Sequence, residues 1–266
     1  MVKLTKHNTG TNQLLCEIRE KIAVVTLNRP KVMNALTIQM RAEIENAFQR
    51  AAKEARVVVM TGKDKAFCTG QDLGDRTNAA NVDMEQSLKK TYQPMLEAIF
   101  NCPIPTISAV NGPAAGAGAN LALAADIVIA AESAYFLQAF GRIGLIPDAG
   151  GTYTMPRSMG FAKALGASLF AEKIPARKAD EWGLIWEAVP DEKFEETWRA
   201  RADYLAKGPT LAFSKMKLAL RESWNHTLDE QLAMEAKIQG NVGKSRDFIE
   251  GVSAFLEKRP AKFEGR

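Results

Sequence analysis

Residues 111–131 read NGPAAGAGANLALAADIVIAA. The stretch closes one apolar strand, crosses a loop of small residues, opens a helix at the glycine–alanine run and ends in a second, β-branched strand. The same unit recurs on either side. Upstream, RVVVMTG (56–62) is a buried strand ending at glycine, followed by the polar loop KDKAFCTGQDLGDR and a helix over roughly 84–101. PTISAVNG (105–112) is the next strand, and DIVIAAE (126–132) is another. Repetition of strand, loop and helix predicts an α/β body rather than separate α and β domains.

Nearer the N-terminus, LLCEIREKIAVVTLNR (14–29) reads as two strands turning near Glu20-Lys21. Asn34 introduces a helix in which Met40, Ile44 and Phe48 recur at helical spacing. After about residue 150 the pattern becomes helical. Two short helices are expected in 150–173, a helix then a strand in 174–190, and an almost wholly helical stretch over 190–258. This predicts one domain with a helical appendage, a core at 1–200 and a helical region at 201–266.

The 266 residues are 46% apolar and 25% charged, with a net charge of +4 spread along the chain. That argues against a nucleic-acid partner and permits an anionic small ligand. Cys16, Cys68 and Cys102 are irregularly spaced, and His7 and His226 are the only histidines. This pattern predicts neither a disulfide framework nor a metal site, and it excludes a Ser-His-Asp triad nearly as firmly. MVKLTKHNTGTNQLL has no apolar export core, and LALAADIVIAA is too short to span a bilayer. The expectation is a cytoplasmic protein with no membrane contact.

Two loops carry the chemistry. In AFCTGQDL (66–73), Gly70 stands where a strand stops, so backbone N–H groups can point into a cleft, unless this is an ordinary tight turn. In the opening stretch, Gly116 and Gly118 permit close backbone approach where a helix begins, a feature that also serves plain helix packing. Two N–H groups from different segments, converging on one oxygen, make an oxyanion hole. A dinucleotide fingerprint fails here, because its third glycine position is Leu121.

Asn120, five positions into the run and expected to face the ligand, cannot exchange a proton. Between Cys102 and Ala171 the acids are Asp126, Glu132 and Asp148. Asp126 has a structural place at the start of a strand, and Glu132 ends that strand facing solvent. Asp148, in the apolar segment GRIGLIPDAGGTY, is either the cap of a helix starting near Gly151 or a carboxyl of raised pKa fitted for acid–base work.

LNRPKVMNAL, AFCTGQDL, NGPAAGAGANLALAADIVIAA, GLIPDAGGT and GVSAFLEKRPAKF together resemble, in order and spacing, the crotonase (enoyl-CoA hydratase/isomerase) superfamily. The resemblance implies a spiral of ββα units with a helical C-terminal trimerisation region, and a homotrimer or homohexamer. It implies an acyl-CoA thioester substrate with no cofactor beyond the coenzyme A that the substrate carries. The thioester oxygen would be held by the backbone N–H groups of Gln71 and Ala117. CoA would be met by Ala66, Phe255 and Lys258, the latter two commonly across a subunit boundary. Asn120, Leu137, Phe140 and Leu145 are candidates for the acyl pocket, with further walls from 74–100.

The two glutamates of the family's hydratases fall on Asn120 and Phe140, which leaves proton transfer to Asp148. Within the family, GQDLGDR, GLIPDAGGT, EWGLIW and EGVSAFLEKR are similar to the branch that isomerises ring-1,2-epoxyphenylacetyl-CoA in phenylacetate catabolism. That implies conversion to the oxepin-ylidene acetyl-CoA, or a shift of 3-enoyl-CoA to 2-enoyl-CoA. The alternatives are an enoyl-CoA hydratase and, from another class, a non-catalytic acyl-CoA binding protein.

Overall fold

The computed structural model describes residues 5–7, 11–72 and 83–266. Its main sheet begins as a meander of β1 (Thr5–His7), β2 (Leu14–Arg19) and β3 (Ile22–Leu27). Glu20 and Lys21, between β2 and β3, both have positive φ, the two-residue turn whose twist suits a tight hairpin. Helix α1 (Ile38–Glu54) then crosses to β4 (Val57–Gly62), which pairs parallel with β3.

A helical passage follows: α2 (Met84–Ser87), a π turn over Leu88–Tyr92, and α3 (Gln93–Phe100). Beyond it come β5 (Thr106–Val110), β6 (Ala114–Ala115), α4 (Ala117–Leu123), β7 (Ile127–Ala131) and β8 (Tyr135–Leu137). The chain continues through α5 (Gly151–Met159), α6 (Phe161–Phe170), β9 (Lys173–Pro175), α7 (Ala176–Glu181) and β10 (Glu187–Val189). Four helices close it: α8 (Phe194–Lys207), α9 (Thr210–Glu222), α10 (Leu228–Val242) and α11 (Arg246–Leu256). Among the described residues no helix is long and apolar enough to cross a membrane.

Strand order in the large sheet is β1-β2-β3-β4-β5-β7-β10, and a small sheet has the order β6-β8-β9. The chain therefore lays one strand in the large sheet and a short one in the small sheet at successive turns, β5 then β6 and β7 then β8. This is the expected ββα spiral. The small-sheet strands are two or three residues long, too short to show an alternation, and the sequence pattern missed them.

The central strands are buried on both faces. Val58 and Met60 of β4 join the core shared with Met40, Ile44 and Phe48 of α1. Val57 and Val59 face the opposite side, where Phe194, Trp198, Ala202 and Ala206 of α8 cover them. A boundary at 200/201 thus falls inside α8, a helix that packs on the sheet. The cap of α1 is also not Asn34. The Thr37 side chain accepts from the Met40 N–H at 3.0 Å, while Asn34 is a buried left-handed residue with φ +57°.

Candidate active site

The site forms where two loops meet, and much of the sequence around them serves to hold them. Asn34 accepts from the Arg29 N–H and donates through Nδ2 to the carbonyls of Lys63 and Ala66. Asn111 accepts from the Gly62 N–H and donates to the Asp64 carbonyl. Arg29 pairs with Asp72 at 2.7 Å in a half-buried contact. Asn34 and Asn111 are therefore clamps on the first glycine loop.

The loops then zip together. Ala115 N–H donates to the Cys68 carbonyl at 2.9 Å. A Cβ on Gly118 would lie 2.2 Å from that carbonyl oxygen, so this position requires glycine. Gly70, at φ +90°, is as constrained: a Cβ there would lie 2.9 Å from the Ala115 oxygen and 3.3 Å from the Ala117 nitrogen. Leu36 takes the Gly70 carbonyl and the Asp72 N–H on one side of the first loop, turning Gln71 to the other side. Ala117 is the first residue of α4, so its N–H has no intrahelical acceptor. Both Gln71 and Ala117 line one cavity of about 270 Å³, and such a pair of donors suits a developing oxyanion.

Asp148 lines the same cavity. It precedes two left-handed residues, Ala149 (φ +49°) and Gly150 (φ +83°), and α5 is capped at Gly150 without a side-chain bond. The N-cap position of α5 is therefore Gly150, two residues beyond Asp148. Asp148 is half-buried with Oδ1 enclosed, while its carbonyl is fixed by the Gly151 N–H at 2.9 Å and by Asn120 Nδ2 at 2.7 Å.

That bond corrects the expectation for Asn120, which does not line the cavity. It is fully buried, and Gly151 packs against it so closely that a Cβ would lie 2.3 Å from Nδ2. Its Oδ1 accepts from Gln138 Nε2 at 2.8 Å, so the two amides brace each other. Asn120 orients the Asp148 backbone from behind, and no ligand can reach it.

Leu137 is also not on the wall. It packs in β8, buried, where its carbonyl accepts from the Gly116 N–H. Phe140 and Leu145 do line the cavity. Of the expected wall over 74–100, Met84 and Tyr92 contribute, while 74–82 lie outside the described residues. Ala66 is buried in the first loop, outside the cavity lining. Phe255 is 82% exposed on α11 and borders a separate apolar groove, and Lys258 is exposed just beyond that helix. Within one chain neither residue reaches the Asp148 cavity.

Tyr92 escaped notice in the sequence, because the π turn shifts the helical register just before it. Burial pushes its hydroxyl pKa up to about 12, against the opposing pull of Arg41, so it is a neutral donor at pH 7. A larger cavity, about 430 Å³, lies around Asp126. Its carboxylate is committed to Lys217 at 2.5 Å, Arg221 at 2.7 Å and Thr106, and ties α9 to the sheet as a structural acid. Glu132 is paired with Arg177 at the surface. Among the described residues, the smaller cavity is the one that joins an acid to unengaged backbone donors.

The sequence profile of the enoyl-CoA hydratase/isomerase family matches residues 17–266. The chain belongs to this family. Its members act on CoA thioesters, and the spiral fold agrees with theirs. The chain is similar to the "probable enoyl-CoA hydratase" of Rhodobacter capsulatus, with 58% identity over 94% of this chain and 97% of that protein. It is also similar to the 1,2-epoxyphenylacetyl-CoA isomerase of Escherichia coli K12, with 41% identity over 95% and 98%. Among solved structures, an enoyl-CoA hydratase from Bacillus anthracis superposes with a TM-score of 0.86 at 31% identity, covering 99% of each chain.

Proposed function

We propose that this enzyme is an acyl-CoA isomerase working with a single carboxylate, on ring-1,2-epoxyphenylacetyl-CoA, 3-enoyl-CoA or both. The observation that carries the reading is that Asp148 is the one carboxylate lining the cavity among the described residues. Hydration of a double bond needs groups that activate water and deliver its proton. The positions matched to the two hydratase glutamates hold a buried, fully engaged amide, Asn120, and an aromatic ring, Phe140. Moving a proton between carbons requires only one base.

In this reading the thioester oxygen accepts from the N–H groups of Gln71 and Ala117. Asp148 removes a proton from the carbon next to the thioester, and the two donors stabilise the enolate. In a 3-enoyl ester the electron pair then shifts the double bond, and Asp148 returns the proton at the far carbon. A cavity of 150 Å³ admits benzene, so about 270 Å³ accommodates a ring-bearing acyl group. The CoA moiety runs past Ala66, and Phe255 and Lys258 reach it from an adjacent subunit of a trimer or hexamer. Support for that assembly comes from α10, which buries none of its residues, and from the exposure of Phe255.

The test is turnover of a 3-enoyl-CoA and, separately, a 2-enoyl-CoA in deuterated water. The expected result is isomerisation of the first with no 3-hydroxyacyl product from either. Asp148→Asn is expected to lower kcat by about 10²–10⁴-fold with KM little changed. The name of the Rhodobacter capsulatus relative favours the second reading, a hydratase. Rapid hydration of the 2-enoyl ester would establish that reading, and binding without any turnover would indicate a non-catalytic protein.

A further inference from the structure

Tyr92 ends the π turn and is 2% exposed, with its ring on the cavity wall. Behind the ring, the Arg41 guanidinium carbon stands 4.2 Å from the ring centroid. Arg41 is itself 1% exposed, and none of its side-chain nitrogens meets a partner at good hydrogen-bond geometry among the described residues; its pull falls on the Tyr92 hydroxyl, whose pKa it lowers. Glu43 does not answer it. Two positions along α1 it faces elsewhere, accepting from Thr11 and Gln39. A buried guanidinium without a well-formed hydrogen bond costs more than a cation–π contact returns. Packing alone therefore does not account for this arginine.

The Tyr92 hydroxyl is underused in the same way. Its hydrogen bond is a long one, 3.3 Å to Gln71 Oε1, which a better acceptor would replace. The positive charge behind the ring makes the neutral phenol a stronger donor. The cavity is also lined by Phe140 and Leu145, which offer an acyl group only apolar surface, and by Arg142, whose guanidinium is engaged by the Ala171 carbonyl. A hydrocarbon acyl group would bury the hydroxyl with its weak bond unimproved. An acyl group with its own oxygen would complete it.

We propose that Tyr92, backed by Arg41, is the specificity determinant of the acyl pocket, donating a hydrogen bond to an oxygen carried by the acyl group beyond the thioester. The substrate class is then oxygen-bearing acyl-CoA esters in preference to plain hydrocarbon ones. The inference rests on the acyl-CoA reading of this cavity, but not on the identity of the base. Sites built to bond a substrate oxygen reject the analogue lacking it, because the buried polar group is left poorly satisfied.

The test is calorimetric binding of phenylacetyl-CoA and 2-hydroxyphenylacetyl-CoA, which differ by one ring oxygen. Wild-type enzyme is expected to bind the hydroxylated ester at least ~10-fold more tightly. Tyr92→Phe, which keeps the ring and its contact with Arg41, is expected to erase the preference, and Arg41→Met to narrow it. Should Arg41→Met fail to fold, the Tyr92→Phe comparison decides alone. Equal binding of the two esters by wild type, or a preference that survives Tyr92→Phe, overturns this inference and leaves the acyl-CoA reading intact. If neither ester binds, both fall.

Discussion

Asn120→Leu separates two accounts of the residue that stands where hydratases carry a glutamate. Leucine nearly matches the amide in size but removes its donor to the Asp148 carbonyl (2.7 Å) and its acceptor for Gln138 Nε2 (2.8 Å). Gln138 is 2% exposed, so water cannot replace the lost partners. Each stranded buried polar group costs about 1–3 kcal/mol, or roughly 4 kcal/mol for Oε1 and Nε2 of Gln138, both of which pair with Asn120. At about 2–4 °C per kcal/mol for a chain of this size, Tm should fall on the order of 10 °C. The catalytic effect follows from the same bond. With the Asp148 carbonyl left to the Gly151 N–H alone, displacement of its carboxylate by about 1 Å should cost about 10²-fold in kcat. KM should stay near its wild-type value, because Asn120 does not line the cavity. Differential scanning fluorimetry and steady-state turnover at 20 °C measure both quantities. A raised KM with unchanged kcat would mean that Asn120 touches the ligand, and the argument from burial would be wrong.

Three further outcomes are expected. Gly70→Ala forces a Cβ to 2.9 Å from the Ala115 oxygen, beside the Ala117 nitrogen, and should lower kcat while the protein remains folded by circular dichroism; unchanged kcat would detach these loops from the chemistry. Burial raises Cys16 to about 11, Cys68 to about 12 and Tyr92 to about 12. Groups raised in the folded state lose protons first when unfolded, so stability present below about pH 9 should drain away between about pH 9 and 12; a urea midpoint rising over that range would contradict the sign. Arg56 donates to Thr210 Oγ1 and to the carbonyls of Gly208 and Phe263, so Arg56→Ala should speed proteolysis of the C-terminal segment, and equal cleavage rates would show that the clamp is redundant.

The sequence by itself determined the repeated strand–loop–helix units, the two glycine loops and the lone acid of GLIPDAGG. Those features rest on local chemistry: β-branched runs, glycines where no Cβ fits, and a carboxylate in an apolar segment. Direction was harder to read. Asn120 lies near the start of α4, where a residue can look outward or inward, and the approach of Gly151 and the bond to Gln138 show that it looks inward. Arg41 reads as one polar position on an amphipathic helix until Tyr92, brought over by the π turn, covers it. Leu137 reads as wall or core alike until β8 pairs with β6 and β9. Periodicity records which residues share a face. Which face meets the cavity is set by contacts between segments far apart in the chain, and those exist only once the spiral has closed.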